Sequence, residues 1–147
     1  MLKENKVGKK FPFIVASFSN KNVIRGLHIQ LKNSQGKYVS VLKGRIFDVV
    51  VDLRKKSRTY GKVLTSILSE KNATSIYVPP GFAHGLCGLS KENYVIYSCT
   101  KYRDKNSEVG IMYNDKDLNI KWPVKNPIVS DKDRNNLSFK DYKKKYK

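Results

Sequence analysis

Apolar and polar residues alternate along most of this chain in short runs, each closed by turn chemistry. Residues 11–18 predict a first strand, with Pro12 tolerated near its start or on a sheet edge. Ser19-Asn20-Lys21-Asn22 breaks that run, and residues 23–31 predict a second strand. Past the turn signature Asn33-Ser34-Gln35-Gly36, strands are expected over 37–42 and 46–53. Lys43-Gly44-Arg45 between them predicts a hairpin turn. After a polar loop over 54–61, further strands are expected over 62–68, 75–78 and 94–100, with 109–113 pairing at an edge. Val78-Pro79-Pro80-Gly81-Phe82-Ala83-His84-Gly85 carries another strand-and-turn signature. Helical periodicity is almost absent. Only 139–147 has helical potential, and its charge predicts a frayed surface tail. Short strands at regular spacing predict an all-β sandwich or barrel.

A length of 147 residues fits a single domain with a proper core, expected to span 1–147. Within it, 1–10 reads as a loose lysine-rich lead-in and 139–147 as a basic tail. A hydrophobic content of 39% argues against wholesale disorder. No apolar run approaches a membrane span, and the first residues lack the apolar core of a secretion signal. Cys87 and Cys99 are isolated thiols rather than a disulfide framework, so a cytoplasmic location is expected.

The net charge of +18 leaves three readings open: a nucleic-acid binder, a positive field for a small polyanionic substrate, or a compositional bias toward lysine. Lys9-Lys10, Lys55-Lys56 and Lys143-Lys144-Lys145 are scattered rather than set in one stripe with aromatics. A nucleic-acid module therefore ranks last. Charge alone does not choose between the other two.

Candidate chemistry starts from scarcity: the chain has two histidines, His28 and His84. A lone histidine is ordinarily a satisfied core or surface residue. His28, however, shares a strand-forming run with Arg25 and Gly26. A guanidinium is costly to bury without an anion, and a glycine beside it lets a backbone or a ligand come close.

Five segments carry a resemblance. They are Ile24-Arg25-Gly26-Leu27-His28, Lys37-Tyr38-Val39, the run from Gly44 to Arg54, Pro80-Gly81-Phe82-Ala83-His84-Gly85, and Leu118-x-Ile120-x-Trp122-Pro123. In order and spacing they resemble the dTDP-4-dehydrorhamnose 3,5-epimerase family, from about Ser17 to Asp133. The resemblance implies a cupin-type jelly roll of two antiparallel sheets, usually a homodimer. It implies an isomerase acting on a nucleotide-linked 4-keto-6-deoxyhexose, by default carried on dTDP and feeding polysaccharide biosynthesis. Such an epimerase inverts C3, C5 or both by proton transfer through an enolate, with no cofactor.

Residue by residue, the resemblance makes His28 the base and Asp133 the carboxylate that fixes its tautomer. Tyr97 becomes the acid on the opposite face, and Lys37 the cation beside the enolate oxygen. Arg25, His84, Glu108 and Lys132 match groups that hold sugar, diphosphate or nucleoside. Many jelly rolls are metalloenzymes, but two histidines, one of them a base, leave too few ligands, and no metal is expected. Cys87 and Cys99 are expected as small buried hydrophobes.

The chain also departs from the family pattern. No Arg-Gly-x-Phe-x-Glu element precedes Arg25, so the lead-in reads as shortened, and Phe13-Ile14-Val15 replaces a Gln-x-Asn pair, of whose surroundings Ser17 and Ser19 survive. Arg103, next to Tyr102, stands where a tyrosine commonly stacks on thymine. Lys9, Lys10 and Phe11 are candidates to replace the missing grip. These losses fall on nucleotide recognition, which leaves open CDP, GDP or UDP as carrier and inversion at one carbon only. A non-catalytic cupin that binds a sugar nucleotide or a partner protein is the competing reading.

Overall fold

The computed structural model describes residues 10–146. Two sheets face each other. The four-stranded sheet contains β1 (Phe13–Asn20), β3 (Lys37–Lys43), β6 (Ile76–Val78) and β8 (Glu92–Cys99), in the order β1-β8-β3-β6. The other contains β2 (Val23–Gln30), β4 (Arg45–Asp52), β5 (Val63–Ser69), β7 (Phe82–Gly88) and β10 (Ile128–Val129), in the order β10-β2-β7-β4-β5, with β9 (Glu108–Gly110) also pairing with β2. All pairings are antiparallel except the two-residue β10, which runs parallel to β2. This is the two-sheet antiparallel sandwich that the alternation predicts.

The strand pattern explains the layers. Val39, Ile46, Val50, Leu68, Val78, Leu86 and Val95 point inward from both sheets and form the core between them. On β4 the run Val49-Val50-Val51 is buried on both faces, because a second core lies outside the larger sheet. There Leu27, Ile29, Val49, Val51 and Ala83 pack against Ile111, Leu118, Phe139 and Tyr142. Phe139 and Tyr142 belong to α2 (Phe139–Tyr146), where Lys140, Lys144 and Lys145 are exposed and Lys143 lies over the Phe139 ring. The stretch expected to fray is therefore a docked helix: the apolar pair at i and i+3 anchors it despite its charge.

Two further expectations are corrected. The turn over 43–45 is not a hairpin, because β3 and β4 lie in different sheets and the chain crosses between layers at Gly44. Gly44 has φ +89°, and a Cβ there would lie 2.2 Å from the Glu92 carbonyl oxygen. The segment 82–88, read only as a strand-and-turn signature, is β7, which lies between β2 and β4 in the larger sheet. The lead-in expectation falls, for residues 1–9, outside the described residues. Among the described residues no helix is long and apolar enough to cross a membrane.

Candidate active site

The site forms at one end of the gap between the sheets, and it depends on an irregularity in β2. In a regular strand Arg25 and His28, three positions apart, would point to opposite faces. The β2–β7 register slips between them, so that both line the same pocket. Gly26 permits the slip: its φ is +116°, and a Cβ there would meet Gly85 Cα at 2.7 Å and the His84 carbonyl oxygen at 2.8 Å.

His28 is half-buried, and its Nε2 lies 2.6 Å from Asp133 Oδ1. Their separation of 105 positions is closed by β10, which pairs alongside β2 and delivers the following helix α1 (Asp131–Arg134) to the pocket wall. Ser130 caps that helix, its Oγ accepting the Asp133 N–H. The other Asp133 oxygen accepts the Gly26 N–H at 3.1 Å, and Asn136 donates to Oδ1 at 3.4 Å. Burial raises the Asp133 carboxyl, but these bonds and the neighbouring imidazole outweigh it and hold the group below its usual range. With Nε2 committed to the carboxylate, Nδ1 is the nitrogen left to exchange a proton.

Tyr97 and Lys37 come from the opposite sheet. Burial pushes the Tyr97 phenol up to about 12, so it is held as a neutral acid. Its oxygen accepts a long 3.5 Å hydrogen bond from Ser17 Oγ. Lys37 opens β3, and burial draws its ammonium below its usual value. Cys99 stands across from Lys37 on β8 and is buried, as is Cys87.

Arg25 donates Nε to Ser19 Oγ and a terminal nitrogen to the Phe18 carbonyl, both at 2.8 Å. Neither partner is an anion, so its charge remains available. At the rim Glu108 accepts from Arg103 Nε at 3.0 Å and pairs closely with the Lys132 ammonium. Burial opposes ionisation of Glu108, yet those two cations hold its carboxyl below the usual range.

His84 is buried, and its Nε2 lies 2.7 Å from Asp48 Oδ1. Asp48 is the partner that sequence reasoning missed. Its signal was an acid set between Phe47 and the run Val49-Val50-Val51, a position that is costly without a partner.

One pocket of about 420 Å³ collects all nine expected residues: His28, Asp133, Tyr97, Lys37, Arg25, His84, Glu108, Lys132 and Arg103. That volume suits a ligand of sugar-nucleotide size. Phe13, Val15 and Ser17 from β1 complete one wall. Lys10 and Phe11 do not line the pocket; Phe11 packs against Tyr38 and Tyr77 instead, and Lys9 lies outside the described residues. Among the described residues no three His, Cys, Asp or Glu side chains are grouped as metal ligands are.

A family model described as dTDP-4-dehydrorhamnose 3,5-epimerase matches residues 1–141. The dTDP-4-dehydrorhamnose 3,5-epimerase of Shigella flexneri is 46% identical over 141 residues, covering 94% of this chain and 78% of that protein. The crystal structure of the Bacillus anthracis dTDP-4-dehydrorhamnose 3,5-epimerase, with TDP and PPi bound, aligns at a TM-score of 0.91 and 41% identity. The match covers 94% of this chain and 80% of that one. The Legionella pneumophila dTDP-6-deoxy-D-glucose-3,5-epimerase, in complex with dTDP-4-keto-L-rhamnose, aligns at 0.89 and 40% identity, covering 93% and 73%.

Proposed function

This chain belongs to the dTDP-4-dehydrorhamnose 3,5-epimerase family, and from that membership we propose that it inverts C3 and C5 of a dTDP-linked 4-keto-6-deoxyhexose. The observation that carries the reading is the placement of four side chains in one pocket. A carboxylate-backed imidazole stands on one sheet, with a phenol and an ammonium on the sheet facing it.

A carbon next to a ketone gives up its proton only if the electron pair can move to the carbonyl oxygen. His28 Nδ1 takes the proton, and Asp133 balances the resulting imidazolium. The pair passes into the C4 oxygen as an enolate, which the Lys37 ammonium stabilises. Tyr97 then donates its phenolic proton to the opposite face of the same carbon, and the configuration inverts. A neutral phenol is the form this step needs, and the burial of Tyr97 keeps it neutral. Arg25 and Lys132 are the groups assigned to the diphosphate, with Arg103 and Glu108 at its nucleoside end.

The TDP and dTDP-sugar bound by relatives support dTDP as the carrier here. We also propose a homodimer. The outer face of the four-stranded sheet exposes Ile14 at 61%, Phe18 at 42% and Tyr94 at 41%, an apolar patch that a second copy would cover.

Incubation with a dTDP-linked 4-keto-6-deoxyhexose in deuterated water tests the function. Deuterium at both C3 and C5 is expected. Binding of the sugar nucleotide without label at either carbon would overturn the epimerase reading in favour of a non-catalytic binder.

A further inference from the structure

Inverting two carbons of one bound sugar raises a problem that the four catalytic groups do not solve. After the first inversion His28 holds the proton it removed, and Tyr97 is a phenolate. Neither can act again until one proton has moved from His28 to Tyr97. The two stand on different sheets.

His84 neighbours both. It is the direct cross-strand partner of His28 in the β2–β7 pairing, a relation that brings side chains to about 5 Å. Its ring also meets that of Tyr97 edge-on, with centroids 6.0 Å apart. Behind it stands Asp48, 1% exposed, with Oδ1 on His84 Nε2 and an Oδ2 that accepts no hydrogen bond among the described residues. The pocket floor thus sets a carboxylate-backed imidazole beside both His28 and Tyr97.

We propose that His84, held and charge-balanced by Asp48, passes a proton from His28 to Tyr97 between the two inversions. The inference rests on the double inversion proposed above. In the reset, the imidazolium of His28 loses its Nδ1 proton, His84 gains one and gives one up, and the Tyr97 phenolate becomes a phenol. No other species is consumed. Asp48 is a positioning residue in this account, since it acts only through His84.

The test is a single-turnover reaction in deuterated water with enzyme in excess, following label and configuration at C3 and C5 over time. Wild-type protein should release chiefly doubly inverted sugar, labelled from solvent at the first carbon inverted and carrying the relayed, substrate-derived hydrogen at the second. His84→Gln and Asp48→Asn should both be slower, and the ratio of singly to doubly inverted product should rise by about tenfold or more. A slower reaction with an unchanged ratio in both variants would overturn the relay and leave His84 as a binding or structural group. Absence of label with the wild-type protein would instead overturn the epimerase reading itself, a distinct result.

Discussion

Tyr97 and Asp133 show how position sets the chemistry of a side chain. Tyr97→Phe removes the acid but leaves the His28–Asp133 pair in place, 2.6 Å apart. Proton removal should therefore persist, so deuterium exchanges into the substrate with retention while inversion falls by roughly 10²- to 10⁴-fold. Nuclear magnetic resonance of the recovered sugar separates the two outcomes. Asp133 also ties the site to stability. Its folded-state carboxyl lies below the ordinary 3.8, despite its burial, because of the hydrogen bonds and the charge of His28. A depressed carboxyl stabilises the fold above its unfolded value, and that contribution is lost as pH falls through the folded one. Acid titration followed by circular dichroism should show stability draining away below about pH 4. Asp133→Asn should flatten that limb. The proposed residue roles came from the family resemblance alone. Nothing in local spacing pairs His28 with Asp133, and nothing but its position between apolar neighbours marks Asp48.

Among the elements, strand alternation was legible because a sheet with one face on a core imposes period two on its sequence. What it could not reveal was partnership. β3 and β4 are adjacent in the chain with a glycine between them, the local signature of a hairpin, yet they belong to different sheets. β7 was obscured by Gly85 and Gly88, which weaken a strand signal but here permit close backbone approach: a Cβ on Gly85 would lie 2.8 Å from the Arg25 carbonyl. In α2 the lysines hid the anchoring face. Phe139 stacks on Tyr60 with centroids 5.8 Å apart, and its N–H is accepted by Asp115 Oδ2 at 2.8 Å. Phe139→Ala should cost about 3–5 kcal/mol in denaturant unfolding. A loss under about 1 kcal/mol would mean that α2 frays, as its composition alone suggests.

At the scale of the whole molecule, the exposed apolar face of the four-stranded sheet and the positive charge have separate consequences. Phe18 and Tyr94 pair across β1 and β8 with ring centroids 5.0 Å apart, and Ile14 extends the patch along β1. Replacing both Ile14 and Phe18 by Asp should weaken self-association by about 2–4 kcal/mol, with little effect on folding because both are exposed in the isolated chain. Sedimentation equilibrium should then report single chains for the variant and the proposed pairs for the unmodified protein. The surplus of 30 basic over 12 acidic residues suits a substrate that carries a diphosphate, whatever else produced it.

The central claim is that an imidazole held by a carboxylate removes the proton that starts the reaction. Deuterium uptake from solvent by His28→Asn, measured beside the wild-type protein on the same sugar nucleotide, tests it most directly. The account predicts uptake at both carbons for the wild type and none above background for the variant, whose fold should be unchanged by circular dichroism. Undiminished uptake by the variant would contradict it.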